Sequence, residues 1–156
     1  MRTKLLQKKP CAVGPIYLDE RTMVQDLSAL VISHRSPVRC WQITHEFDYS
    51  SGKTDLVGLG LNYALHAFEA KLTKWRDALH QARRNTCFAH YCYVALPIRA
   101  AELAIKAKED FLRYGVGLVV VGEHGATLAI RPRRNAPLLP WLTQIARSQL
   151  SSGHTL

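Results

Sequence analysis

The chain lacks long apolar runs, paired cysteines and acidic residues in balance with its basic ones, and each shortage narrows what it can be. No stretch approaches the roughly 18 consecutive apolar residues of a membrane-spanning helix, so no such helix is expected. Leu5 and Leu6 run straight into Gln7, Lys8 and Lys9, which leaves no apolar segment for a secretory signal, and a cytoplasmic location is the expectation. Cys11, Cys40, Cys87 and Cys92 include no CxxC pair, which speaks against a disulfide framework and for a reducing compartment. Asp and Glu number 12 against 21 Lys and Arg, a formal charge of +9. Such a surface favours polyanionic partners, nucleic acid first among them.

What is present suffices for one domain: 156 residues, 47% of them hydrophobic, can bury a core without covalent staples. Residues 1–17 are basic, carry Pro10, Gly14 and Pro15, and read as an arm; 18–150 form the domain, and 151–156 a polar tail. Met23, Leu27, Leu30 and Val31 recur at helical spacing behind Asp19 and Glu20, so a helix is expected to about Ser33. Three short runs, Trp41–Tyr49, Asp55–Gly60 and Ala64–Leu72, read as an antiparallel meander. Trp75, Ala78, Leu79 and Ala82 mark a second helix from Thr73 to about His90, with Lys74, Arg76, Arg83 and Arg84 largely off its apolar stripe. Tyr91–Leu96 and Val116–Val121 have the near-continuous apolar character of buried strands, with a helix from Ala100 to Tyr114 between them. A turn at Glu123-His124-Gly125, an edge strand Thr127–Arg131 and a helix Trp141–Leu150 follow. The expected fold is α/β, a mixed sheet of a three-strand meander plus further strands, flanked by helices.

Register brings the charged residues of the meander together. If Leu61-Asn62-Tyr63 is a three-residue hairpin loop, Gly60 pairs with Ala64 and Asp55 falls opposite Glu69. A four-residue loop would instead pair Asp55 with Phe68. In the first register Asp55, Glu69 and Lys71 share one face, because side chains alternate along a strand. Two facing carboxylates repel unless a cation lies between them, and hard oxygen ligands suit Mg²⁺ or Mn²⁺. A lysine beside such a cation can orient or deprotonate an attacking water and stabilise charge on a phosphoryl group. The competing reading is a solvated strand face with ordinary cross-strand salt bridges. A four-residue turn at Ser50–Lys53, pairing Tyr49 with Thr54, would put Asp48 opposite Asp55 with Glu46 on the same face.

Thr54-Asp55-Leu56-Val57-Gly58, Ala67-Phe68-Glu69-Ala70-Lys71-Leu72, the helix Trp75–Ala82 and Tyr93-Val94-Ala95-Leu96-Pro97, in that order, resemble the PD-(D/E)XK nuclease superfamily. The resemblance spans roughly residues 41–122 and implies a restriction-endonuclease-like fold and Mg²⁺-dependent hydrolysis of DNA phosphodiesters, with Mn²⁺ as a substitute. It implies that Asp55, Glu69 and the Ala70 carbonyl hold the metal, that Lys71 serves the nucleophilic water, and that Gln81 faces substrate or that water. Thr54 stands where the signature has proline. The family often adds an acidic residue from the first helix, for which Glu20 is the candidate; Glu46 is another. Each also has a plain reading, Glu20 as a charge at a helix N-terminus and Glu46 as a solvated strand residue.

Lys74, Arg76, Arg83 and Arg84, with Arg131, Arg133 and Arg134 after the last strand, are the candidate phosphate contacts of a DNA-binding surface. A homodimer would be a natural way to cut two strands. The main alternative is a non-catalytic module that keeps the fold to bind nucleic acid or a protein partner. Cys87, His90 and Cys92 lack usual zinc spacing and read as core. His45 and His66 read as packed histidines without a Cys or Ser partner.

Overall fold

A computed structural model describes residues 16–33, 35–50, 52–122 and 125–152. Nearly all of the expected arm over 1–17 with Cys11, the Glu123-His124 part of the expected turn, and residues 153–156 of the expected tail lie outside the described residues. Helix α1 (Glu20–Ile32) starts where Asp19 caps it, its carboxylate accepting the Thr22 N–H at 2.7 Å. It buries Met23, Leu27, Leu30 and Val31, the stripe expected from the sequence. Strands β1 (Gln42–Tyr49), β2 (Gly52–Leu59) and β3 (Leu65–Ala70) form the meander. Helix α2 (Trp75–Asn85) leads to β4 (Tyr91–Pro97), helices α3 (Ile98–Ile105) and α4 (Lys108–Tyr114) lead to β5 (Gly117–Gly122), and β6 (Gly125–Ile130) precedes α5 (Pro140–Ser152).

The strands lie in sequence order in one six-stranded sheet. β3, β4 and β5 are parallel, as helical crossovers require, and the remaining pairs are antiparallel. One face packs Trp75, Ala78, Leu79 and Ala82 of α2, the alanines of α3, Phe111 of α4 and Leu142 of α5. The other packs α1 against Leu56, Phe68, Tyr93 and Val119. The expected mixed α/β fold is therefore the fold observed.

Four expectations need correction. The helix expected over 100–114 is two helices, broken at Lys106–Ala107, where no Gly or Pro marks the break. α2 stops at Asn85 rather than near His90, because Thr86 turns back onto the Arg83 and Arg84 carbonyls. Ser151 and Ser152 continue α5 instead of starting the tail. The β1–β2 turn is shorter than four residues: Tyr49 pairs with Gly52 and Asp48 with Lys53, not with Asp55. Between the pairs His45↔Leu56 and Phe47↔Thr54, it is Glu46 that lies across from Asp55.

That position is irregular. Ile43 and His45 face α1, whereas Phe47 and Tyr49 pack on the opposite face, so alternation slips at Glu46, which has a left-handed φ of 55°. The link between β2 and β3 is a single 3-10 turn, Leu61–Tyr63, closed by Gly60 N–H to Ala64 O at 2.9 Å. It holds both Asn62 and Tyr63 left-handed, at φ 56° and 58°. The Tyr63 side chain is exposed, and its carbonyl, not its ring, receives Arg147. Tyr63→Gly should therefore raise stability by about 0.5–1 kcal/mol, since relief of a left-handed bulky residue exceeds the added chain entropy. Urea unfolding checks this; a loss of stability would mean that the exposed ring packs in a way the turn geometry does not show.

Candidate active site

The β2–β3 ladder runs from Leu59↔Leu65 to Leu56↔Phe68, which is the register of a three-residue loop and leaves Asp55 across from Glu69. Backbone pairing stops there. Instead, the Asp55 carboxylate accepts the Ala70 N–H through Oδ2 at 2.8 Å, taking the place of a ladder carbonyl in the gap between the strands. The N–H and C=O of a strand residue lie on one side of the strand, so the Ala70 carbonyl faces that gap as well. Lys71, one residue on, turns its N–H the other way, to Ala95 O at 3.3 Å.

Glu69 points to the α2 face, away from Phe68 and Ala70, and is only 1% exposed. Its Oε1 accepts Asn85 Nδ2–H at 2.7 Å, while Asn85 Oδ1 accepts the Tyr49 hydroxyl at 2.6 Å and the Thr54 hydroxyl at 3.0 Å. Two donors on one amide oxygen leave the amide nitrogen aimed at Glu69. Burial pushes the Glu69 carboxyl from 4.5 up to about 8; the Asn85 hydrogen bond opposes this, Asp55 adds to it, and Lys71 pulls it back a little.

Lys71 Nζ lies 3.1 Å from Glu20 Oε2. Burial works against the ammonium, but Glu20, Asp55 and Glu69 outweigh it and hold the lysine above its ordinary pKa. Of the two roles expected for Lys71, orienting water and deprotonating it, only the first suits a protonated amine. Glu20 stands in the first turn of α1, as its plain reading has it, and its carboxylate is paired with Lys71.

Lys71, Glu20, Lys74, Gln81, Arg83 and Arg84 line one cavity of about 900 Å³. Within it the Gln81 Oε1 atom is buried without a hydrogen-bond partner among the described residues. A second cavity, of about 630 Å³, is bounded by Glu20, Arg21, His45, Glu46 and Asp55, so Glu20 borders both cavities and Asp55 this one. Glu46 is exposed there and paired with Lys53 at 3.3 Å. Arg76 lies over the Trp75 ring and Arg83 over the Tyr114 ring, at 4.3 and 4.5 Å.

The structure does not bring Arg131, Arg133 and Arg134 to this place. They follow Ile130, which pairs with Leu118 at the start of β5, whereas Lys71 follows the end of β3. Antiparallel return of β6 carries these arginines to the opposite end of the sheet. One expectation about histidine also changes: His45 Nε2 does meet a serine, at 2.7 Å from Ser28 Oγ. Ser28 is buried and donates its own proton to Val24 O at 2.7 Å, so the imidazole donates to the hydroxyl and activates no nucleophile. His66 lies against Tyr91 and Tyr93, where burial lowers its pKa to about 4. The Cys87 and Cys92 thiols are raised by burial, as core thiols are.

Sequence reasoning missed Asn85, Tyr49 and Thr54. Asn85 continues the apolar stripe of α2, three residues beyond Ala82, and a polar residue at such a position signals a buried partner. Among the described residues no group of three or more His, Cys, Asp and Glu side chains is arranged to hold a metal.

No protein-family model matches the chain, and no curated protein matches it. Its fold is similar to the solved structure of a protein of unknown function from Silicibacter pomeroyi, with a TM-score of 0.62 and 16% identity over 88% of each chain. At that identity the likeness concerns the fold.

Glu69 makes stability depend on pH. Its folded pKa, about 8, lies above its ordinary 4.5, so the native state holds the extra proton between those values. The contribution is full below the lower value and is lost as pH rises through the upper one. Without added metal, stability should fall from pH 5 to 8, and Glu69→Gln should flatten that slope; a slope unchanged in Glu69→Gln would contradict the burial argument.

Proposed function

We propose that the chain is a divalent-metal-dependent nuclease that hydrolyses DNA phosphodiester bonds through a PD-(D/E)XK type of site, acting in the cytoplasm. The observation that carries this reading is the register that sets Asp55 beside Glu69 with Lys71 one step beyond. The meander followed by a helix and a parallel strand is consistent with the family core.

The donor set fits a hard cation. Asp55 keeps Oδ1 free of the Ala70 bond, Glu69 presents a buried carboxyl with one oxygen held by Asn85, and the Ala70 carbonyl faces the same gap. The raised pKa of Glu69 is what a buried carboxylate shows when its counter-charge is too small. These three groups would hold Mg²⁺, or Mn²⁺ in its place, which when bound polarises a phosphoryl oxygen and makes water a better nucleophile near neutral pH. The set is two carboxylates and a carbonyl, and Glu20, which lines a cavity with Asp55, is the candidate to extend it.

The chain's own residues supply the rest. Lys71, kept protonated, places a positive charge and the two N–H donors not given to Glu20 where charge develops on phosphorus oxygens. Glu20 holds that ammonium in place. Gln81, with its buried oxygen unpartnered, can accept a hydrogen bond from the attacking water and fix its direction. Lys74, Arg83 and Arg84 line the same cavity and take flanking phosphates, while Arg76 lies beside them on α2.

The second reading, a non-catalytic module that binds nucleic acid or a partner, draws on the Lys71–Glu20 ion pair, which is also how a structural lysine would be satisfied. Labelled duplex, single-stranded and branched DNA, and RNA, incubated with Mg²⁺, with Mn²⁺ and with EDTA, separate the two. DNA should be cut only with metal, and Asp55→Ala and Lys71→Ala should each slow cutting by at least about 100-fold. Cutting that survives EDTA or both substitutions contradicts the mechanism, and salt-sensitive binding without cutting selects the second reading.

A further inference from the structure

At the end of the sheet away from Lys71, two cavities of about 410 and 160 Å³ share His90 and Pro137 as walls. The larger is lined by Arg134 and Asn135, the smaller by Arg147 with Pro140, Thr143 and Gln144 of the first turns of α5. No Asp or Glu of the described residues lines either one. Arg134, which lies over the Tyr91 ring at 5.9 Å, and Arg147 thus stand in adjoining cavities that share His90, with no carboxylate lining either, a surrounding that favours an anion.

Each donor has a direction. His90 is only 8% exposed, and its Nδ1 accepts the Leu65 N–H at 3.0 Å, which fixes the ring proton on Nε2. Nε2 has no partner among the described residues and is the polar atom that the ring can offer to the cavities it lines. Arg147 gives Nη2–H to the Tyr63 carbonyl at 2.8 Å, yet its Nε–H is buried without any partner among the described residues. The thirteen-residue helix α5 adds the positive end of its dipole. Burial, Arg134 and Arg147 all depress the His90 pKa, so the ring is neutral and donates from Nε2.

We propose that His90, Arg134, Arg147 and the amino end of α5 form a binding site for a phosphoryl group, separate from the Asp55–Glu69 centre. The donors come from the segment after β6, from the residue before β4 and from α5, three separate elements, which suits the several oxygens of a phosphoryl group. Arg134 lines the larger cavity and Arg147 the smaller, and the two meet at His90 and Pro137, where the phosphoryl group would sit, either free phosphate or the phosphate at the end of a nucleic-acid strand. This site does not rest on the hydrolytic reading, and its loss would leave that reading standing.

The test uses the full-length ¹⁵N-labelled protein, titrated with inorganic phosphate against sodium chloride at matched ionic strength. Saturable shifts should appear at the His90 ring and in the first-turn amides of α5. Arg134 is exposed, so Arg134→Gln should fold normally and weaken phosphate binding by about tenfold, the loss of one charge-assisted hydrogen bond. Arg147→Gln should do at least as much, provided its spectrum remains folded. No saturable shift, shifts centred on Lys71, Arg83 and Arg84 instead, or wild-type affinity in Arg134→Gln would overturn the proposal. A 5′-phosphorylated oligonucleotide compared with its 5′-hydroxyl twin then assigns the source. Preference for the phosphorylated strand at these resonances identifies a strand end, and equal binding identifies free phosphate or a small ester, the phosphoryl site standing in both cases.

Discussion

The hydrogen bond from Ala70 N–H to the Asp55 carboxylate, 2.8 Å long, replaces the backbone carbonyl that a continuing β2–β3 ladder would supply. Because a side chain fills that role, the two strands can part beyond Leu56↔Phe68 without orphaning the buried amide. The Asp55 carboxylate sits in that gap, the Ala70 carbonyl faces it, and the Glu69 carboxyl lies on the α2 side. The slip in side-chain alternation at Glu46, directly across from Asp55, belongs to the same distortion. An irregularity that a stable sheet would avoid is retained where oxygen atoms gather.

Glu69 shows the cost of that arrangement. A carboxyl 1% exposed, with another carboxylate beside it, would be expelled from most cores. Here Asn85 holds it, and Tyr49 and Thr54 hold Asn85, so the polar group is tied through three buried partners to two strands and a helix. The chain thus fixes the position of Glu69 while leaving it electrostatically unsatisfied. Lys71 does not cure this, since its charge is shared with Glu20 on α1. A deficit of positive charge at a rigid oxygen cluster is the physical content of the proposal that a divalent cation completes it.

Much of this was legible beforehand, for reasons that differ between elements. The Leu61–Tyr63 loop fixed the register because two-fold side-chain alternation leaves few choices once a loop length is set, and Asp55 and Glu69 met as expected. The stripe of α1 and the apolar runs of β4 and β5 were equally plain, being packing surfaces with simple periods. The β1–β2 turn was not: Ser50 to Lys53 is rich in turn formers, and its residue types do not reveal that Gly52 already pairs with Tyr49. Nor does local sequence tell where β6 returns, so Arg131, Arg133 and Arg134 were grouped with the basic face of α2 although topology sends them to the far end. The partner of Glu69 lay 16 residues downstream at Asn85, and the partners of Asn85 lay back at Thr54 and Tyr49, contacts that only the folded chain assembles.

The most direct measurement of the central claim is the titration of the Glu69 side-chain carboxyl by ¹³C NMR, with and without Mg²⁺. If Asp55, Glu69 and the Ala70 carbonyl form a cation site, Mg²⁺ should draw the Glu69 midpoint down from about 8 toward the ordinary carboxylate range, and Asp55→Asn should abolish that shift. A midpoint that stays where it was at saturating Mg²⁺ and Mn²⁺ would contradict the account, because the charge deficit would then have no cation to answer it.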